Sequence, residues 1–332
     1  MSRTESAATS RSEQYCAFCG YGLPRAPVRD ESGRSYCTDR CRDAHRAGTD
    51  PFVSRHGYKQ VATGVAVLDA LLPAGIPANS FVLLAGEGGI RHRGLQTELL
   101  WRTLTRGEPV IVITFVDPPV AIVEHFLTFD WNVLPFLQSG DLRILDCFTT
   151  RLREEHQTPE HQVDWNDHLT GFLDDVVTVL HDTTDFRSIE DGLHSLLEEL
   201  TMRGEGMIVL DSLDEAEIQG HESEIDQFIK EIRGDVCSRR FVPIFTSTTA
   251  GETRRTTADL AYLFDGIIEM RRDDPLVPDV PLKQLSVRKM DGVLYHPDWV
   301  TYEQTGGGFR IFDPQSDLAT VYGPPPTAFG RR

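Results

Sequence analysis

Short apolar runs alternate with longer amphipathic stretches through the middle of the chain. The runs are rich in Val, Ile, Leu and Phe, which is typical of buried parallel strands. They are Phe81–Ala85, Val110–Phe115, Leu142–Asp146, Met207–Asp211 and Phe241–Thr246. Helical patterns lie between them, at Leu95–Thr105, Ala121–Phe129, Asp191–Met202 and Glu224–Val236. This alternation predicts a doubly wound α/β fold with a mainly parallel sheet.

The pattern changes after about Ala261, where strand-like segments follow one another closely without helices between them. These segments are Gly266–Arg271, Lys283–Lys289, Trp299–Glu303 and Phe309–Phe312. Closely spaced strands pair most readily with their neighbours in the antiparallel direction. We therefore expect an antiparallel carboxyl-terminal extension of the sheet.

Composition adds a strongly acidic character. The net charge is -18, and the only lysines are Lys59, Lys230, Lys283 and Lys289, a balance typical of proteins from salt-loving archaea. Such a charge argues against a nonspecific nucleic-acid surface. No apolar run is long enough to cross a bilayer, and the amino terminus has no apolar stretch resembling a signal peptide. The sequence therefore predicts a cytoplasmic protein that makes no membrane contact.

Four of the six cysteines crowd near the amino terminus. Cys16 and Cys19 have the Cys-x-x-Cys spacing of a zinc knuckle, and Cys37 and Cys41 follow with helical spacing. Thr38 is a favourable helix-capping residue, so we expect Cys37 just before a short helix and Cys41 on its first turn. The four thiolates are the predicted zinc ligands, and a closed four-cysteine site favours a structural role. His45 is an alternative fourth ligand.

The layout of this cluster resembles the treble-clef zinc fingers of the TRASH type, over about 30 residues. That resemblance implies zinc and contact with a partner. Together with the composition changes, it divides the chain into five predicted parts. These are a disordered leader (1–13), a zinc-finger module (14–48), a linker (49–56), an α/β domain (57–313) and a tail (314–332).

A glycine-rich loop follows the first long strand of the α/β domain, where a phosphate-binding loop would stand. Gly86 and Gly89 fit such a loop, but Arg91 replaces its second glycine, His92 its lysine and Arg93 its hydroxyl residue. The lysine normally reaches the outer phosphates and the hydroxyl holds magnesium. One interpretation is an anion site made by these three residues. The other, which we favour, is a loop that only connects strand and helix.

Several dispersed motifs, in the right order, resemble the RecA-like ATPases of the KaiC type and their archaeal recombinase-related neighbours, over about residues 57–313. They are Thr63–Leu72 with Gly75–Pro77, Asp130–Trp131, Gly140–Asp146, Val209–Leu213 and Leu285–Gly292. The resemblance implies a RecA-like fold, assembly into rings and ATP between subunits. It makes Asp211 the Walker B carboxylate.

The same resemblance shows where the chain departs from the family. The family's catalytic glutamate falls on Val116, which leaves Asp117 as the only acid there. A basic residue of the late motif, which can reach a neighbouring subunit's phosphate, falls on Asp291. We therefore predict a non-catalytic regulatory or scaffolding protein that contacts a protein partner or copies of itself. The predicted degenerate nucleotide site consists of Gly86, Gly89, Arg91, His92, Arg93 and Asp211, and ATP binding there is doubtful.

Two alternative functions remain open. One is an ATP-binding switch or weak ATPase with a non-standard loop. The other is a DNA-binding accessory protein, weakly supported by Arg254 and Arg255. The acidic residues after the Walker B strand, from Asp214 to Glu224, are interpreted as a solvated face.

Overall fold

The computed structural model describes most of the chain apart from its two ends and several internal segments. The described residues are 15–18, 23–48, 60–88, 90, 92–149, 173, 175–180, 185–219, 221–249, 255–273 and 282–312. The predicted leader, linker and tail lie outside them. Among the described helices, none is long and apolar enough to cross a bilayer.

The cysteine-rich segment forms a small unit with its own core. Its strands β1 (Val28–Arg29) and β2 (Ser35–Tyr36) pair antiparallel and precede the helix α1 (Asp39–Arg46). The Thr38 hydroxyl accepts a hydrogen bond from the Cys41 amide at 3.2 Å, so the predicted helix cap is confirmed. The buried side chains of this core are Cys16, Phe18, Leu23, Tyr36, Cys37, Cys41 and Ala44.

The α/β domain opens with a short antiparallel pair and then builds the main sheet. The first elements are β3 (Gln60–Val61), α2 (Ala66–Leu71) and β4 (Ile76–Pro77). The strands that follow are β5 (Phe81–Gly86), β6 (Val110–Thr114), β7 (Leu142–Asp146), β8 (Val177–Val179), β9 (Met207–Asp211), β10 (Ile244–Thr249), β11 (Gly266–Asp273), β12 (Leu282–Met290), β13 (Val300–Thr305) and β14 (Gly308–Ile311). In the described part of the chain, these form one sheet in the order β14-β13-β12-β11-β5-β10-β9-β6-β7-β8.

Helices cover both faces of this sheet. They are α3 (Arg93–Thr105), α4 (Pro119–Leu127), α5 (Leu134–Ser139), α6 (Phe186–Glu199), α7 (Leu213–Gln219), α8 (Glu222–Ile232) with a π-helical continuation (Arg233–Ser238), and α9 (Thr257–Leu260). Every residue of β5 and β6 is buried, because both faces of these strands pack against helices. Two apolar cores result, one on each face of the sheet.

The predicted directions of the strands are confirmed. Strands β5 to β11 pair in parallel, and β12, β13 and β14 continue the sheet antiparallel. The start of β10 was predicted wrongly, because this strand begins at Ile244 and not at Phe241. Phe241 has a left-handed φ of 57° and Pro243 has no amide hydrogen, so neither continues a strand.

Candidate functional site

The loop that stands at the phosphate-loop position joins β5 to α3 at the carboxyl edge of the sheet. The ends of β6, β9 and β10 lie beside it, because all four strands are parallel and in register. This edge is where ligands bind in open parallel sheets. Gly86, His92 and Arg93 are described at this position, whereas Gly89 and Arg91 lie outside the described residues.

His92 fills the space directly above Gly86. Its side chain is buried, with 6% of the residue exposed. A Cβ atom placed on Gly86 would lie 2.0 Å from His92 Nε2, so a larger residue there would force the imidazole to move. Burial lowers the pKa of His92 to about 4. The residue at the lysine position is therefore neutral at physiological pH and packs against the loop's own backbone.

His92 Nε2 has no hydrogen-bond partner among the described residues. A buried polar atom without a partner costs free energy, about 1–3 kcal/mol in typical cases. The neutral imidazole tolerates this position better than the imidazolium would, because burial penalises the charged form more strongly.

Arg93 connects two carboxylates at the ends of neighbouring strands. Its Nη1 lies 2.7 Å from Asp117 Oδ2, and its Nε lies 3.4 Å from Asp211 Oδ2. Asp211, the predicted Walker B carboxylate, is 5% exposed. Burial raises the pKa of Asp211 to about 6, Arg93 opposes that rise and Asp117 adds to it. The guanidinium therefore supplies the positive charge that these two acids need.

Asp214 is another carboxylate at this edge of the sheet. Its interpretation as part of a solvated face was wrong. The residue is buried, at 9% exposure. Its Oδ1 accepts a hydrogen bond from Thr248 Oγ1 at 2.7 Å, and its Oδ2 accepts one from the Thr249 amide at 2.8 Å. Asp214 thus ties the start of α7 to the end of β10.

An open cavity of about 860 Å³ remains beside these residues. Its walls include Val116, His125, Phe129, Ser212 and Gln304. Val116 lies here as predicted and brings no ionisable group. His125 Nε2 lies 4.0 Å from Asp117 Oδ2. A cavity of this size can hold a ligand of nucleotide dimensions.

The end of the late motif, from Lys289 to Gly292, lies at the amino edge of the sheet, opposite the cavity. Asp291 follows β12, and its amide donates a hydrogen bond to the carbonyl of Asp265, which precedes β11. Lys289 Nζ donates to the carbonyls of Ala261 and Phe264 and lies 3.2 Å from Asp291. Asp291 therefore does not line the cavity of its own chain.

The structure gives little support to DNA binding through Arg254 and Arg255. Arg254 lies outside the described residues. Arg255 Nη1 lies 2.5 Å from Asp226 Oδ1, and its side chain is only 12% exposed. An arginine committed to a partly buried ion pair presents little free charge to phosphate.

The cysteine cluster forms a compact group of sulfur ligands. The Sγ atoms of Cys16, Cys37 and Cys41 lie within 4.8 Å of one another, and those of Cys37 and Cys41 are 3.4 Å apart. Tetrahedral zinc with Zn–S bonds near 2.3 Å needs sulfurs about 3.8 Å apart, so the three thiols fit a metal ion. Cys19 lies outside the described residues. His45 lies outside this sulfur group, and its Nδ1 contacts the Tyr36 hydroxyl at 3.0 Å.

Three comparisons with known proteins agree with this architecture. A family model of the ATPase KaiC matches residues 61–316. A UPF0273 protein of Pyrococcus horikoshii is 26% identical over 258 residues, which cover 76% of this chain and 94% of the relative. A UPF0273 protein of Thermotoga maritima is 27% identical over 258 residues, with 76% and 96% covered.

A solved structure gives the same picture. The crystal structure of a KaiC-like protein from Pyrococcus horikoshii superposes with a TM-score of 0.57 at 14% identity. The match covers 76% of this chain and 99% of that one. The RecA-like fold expected from the motifs is confirmed.

Proposed function

The chain belongs to the KaiC family of ATPases. We propose that it is a non-catalytic member of that family whose phosphate site is filled by its own side chains. One observation carries the proposal: Arg93 pairs with both Asp117 and Asp211. In phosphate-loop enzymes, the Walker B aspartate and the loop hydroxyl hold magnesium at this place. In this chain Arg93 stands at the hydroxyl position, and its guanidinium supplies the positive charge in place of the metal ion.

The remaining losses point in the same direction. Phosphate transfer depends on positive charge around the outer phosphates, which a loop lysine supplies. His92 is neutral and faces Gly86, so it gives no such charge. Val116 stands where the family carries a carboxylate that orients water, and an isopropyl group cannot accept a proton.

Equilibrium binding and turnover of labelled ATP test the proposal directly. The full chain is incubated with Mg²⁺-ATP in molar KCl, and bound nucleotide and released phosphate are measured. We expect no saturable binding and no phosphate release above the protein-free control. Micromolar ATP affinity that Asp211→Ala abolishes would overturn the proposal.

A second candidate function is an ATP-binding switch, and the cavity of about 860 Å³ favours it. ATP with magnesium would have to displace Arg93 from Asp211 before its phosphates could approach. The switch therefore predicts that Arg93→Ala increases ATP affinity, because the competing guanidinium is gone. The non-catalytic proposal predicts no measurable affinity in either form, since His92 still fills the loop.

We further propose that Cys16, Cys19, Cys37 and Cys41 hold one structural zinc ion and that this module serves a protein partner or a second copy of the chain. A small unit with so little apolar core needs such a metal to fold. Binding of DNA is the less supported role, and a gel shift at the protein's working salt concentration would revive it.

A further inference from the structure

The cysteine-rich module contacts the α/β domain through Arg25. Arg25 Nη1 lies 2.5 Å from Asp141 Oδ1, and the Arg25 amide donates a hydrogen bond to the Glu205 carboxylate. Asp141 immediately precedes β7, and Glu205 lies two residues before β9. Because the first residues of β6, β7 and β9 are in register, both acids lie at the amino edge of the sheet.

Glu205, which accepts the hydrogen bond from the Arg25 amide, lies in an environment that favours a nearby positive charge. Glu205 is partly buried, and burial raises its pKa to about 7, with Glu108 adding to the rise and Arg25 opposing it. Glu108 Oε2 accepts a hydrogen bond from the Gly206 amide at 3.1 Å, and its carboxylate pairs with Arg106 at 3.1 Å. Arg25 thus brings a donor and a positive charge to a place where two loops each present a carboxylate, Glu108 before β6 and Glu205 before β9.

We propose that the amino edge of the sheet is the docking surface of the cysteine-rich module and that Arg25 is the residue that holds the module there. The partner that this edge fits is therefore the chain's own module. The phosphate site lies at the opposite ends of the same strands, about 17 Å away for five residues at 3.3 Å each. The module stabilises the loops before β7 and β9 and takes no part in the cavity.

One part of this inference rests on the proposed function, namely that the cysteines hold zinc. Zinc fixes the fold of the module and so fixes the position of Arg25. Loss of the metal should then loosen the loop 203–206 of the α/β domain. The Arg25 contacts themselves do not depend on the identity of the metal.

Hydrogen exchange of the full chain, read by mass spectrometry on peptides covering 139–143 and 203–207, tests the docking. We expect Arg25→Ala to exchange about two- to tenfold faster at 139–143, because the ion pair with Asp141 is lost. Glu205→Ala, which removes the acceptor of the Arg25 backbone amide, should give a similar change at 203–207. The zinc content of both variants should equal that of the wild type, since neither residue is a ligand.

Arg29→Ala is the matched control. Arg29 lies in the same module, is exposed and makes no ion pair within the described residues. Its replacement should leave the exchange of 139–143 and 203–207 unchanged. If Arg25→Ala and Glu205→Ala both exchange like the wild type, the docking proposal is wrong. If purified wild-type protein contains no metal, the zinc assignment fails, while the variants still decide the docking.

Discussion

Replacement of Arg93 by alanine tests whether this side chain takes the place of a metal ion. The change leaves Asp117 and Asp211 facing each other without a cation. Breaking a buried pair costs about 3–5 kcal/mol, and breaking an exposed pair costs about 1 kcal/mol or less. The Arg93 side chain is 36% exposed, but the side chains of Asp211 and Asp117 are only 7% and 21% exposed. We therefore expect a loss of about 1–3 kcal/mol near pH 8.

The loss should depend on pH in a direction that the pKa of Asp211 fixes. In the folded protein that pKa is about 6, above the ordinary value of 3.8. The folded state thus binds this proton more tightly than the unfolded state, so stability falls as pH rises from about 4 to about 6. Without Arg93 the pKa of Asp211 rises further and the fall continues above pH 6. The deficit of Arg93→Ala should therefore be small near pH 5 and full near pH 8.

Denaturant unfolding at constant KCl, carried out near pH 5 and near pH 8, measures this effect. Arg106→Ala is the matched control, because Arg106 pairs with Glu108 at 3.1 Å and the two side chains are 30% and 25% exposed. That control should lose about 1 kcal/mol or less at both pH values. Magnesium should restore part of the stability of Arg93→Ala at pH 8, since two carboxylates without a cation bind it. A loss of stability in Arg93→Ala that is equal at both pH values and insensitive to magnesium would show that Arg93 does not take the place of a metal ion beside Asp117 and Asp211.

Three further predictions concern residues that the structure brings into contact. Gly86→Ala should destabilise the fold by about 1–3 kcal/mol in denaturant unfolding, because its Cβ would lie 2.0 Å from His92 Nε2; adding His92→Ala should recover most of this loss, and no recovery would contradict the contact. Asp214→Ala should cost about 2 kcal/mol in the same assay because it leaves one buried and one partly buried donor unpaired, and an effect below about 0.5 kcal/mol would mean that water replaces them. Metal analysis should find about one zinc per chain, and Cys16→Ala/Cys37→Ala should lose it; unchanged metal content would exclude these ligands.

Local patterns predicted most of the elements that build the site. Strands β7 and β9 have the predicted bounds, and α3 begins two residues earlier than its apolar periodicity suggested. The Thr38 cap was also predictable, because capping depends on residues close together in the chain. The strand β8 and the helix α5 were missed, since each is too short to give a clear period.

The interpretation of single polar residues was less reliable than the prediction of elements. Asp214 was assigned to a solvated face because it stands among other acids. Its burial follows from two donors at the end of β10, far away in the sequence. The pairing of Arg93 with Asp117 and Asp211 likewise depends on residues that are far apart in the sequence. The sequence showed only that a hydroxyl is missing at Arg93, whereas the structure shows that the guanidinium in its place bridges two carboxylates.

The amino-acid pattern alone predicted the α/β class, the order of parallel and antiparallel strands, and the positions at which the phosphate loop departs from its family. These properties follow from periodicity and from motif spacing, which are local. Three placements became visible only in the folded chain: His92 lies over Gly86, Arg93 joins two strand ends, and Arg25 of the cysteine-rich module contacts acids at the edge opposite the phosphate site. The last two depend on which side chains the packed sheet brings together across long stretches of chain, whereas the first depends on how the loop after β5 folds back over its own start. Local sequence patterns do not show which of these side chains come together.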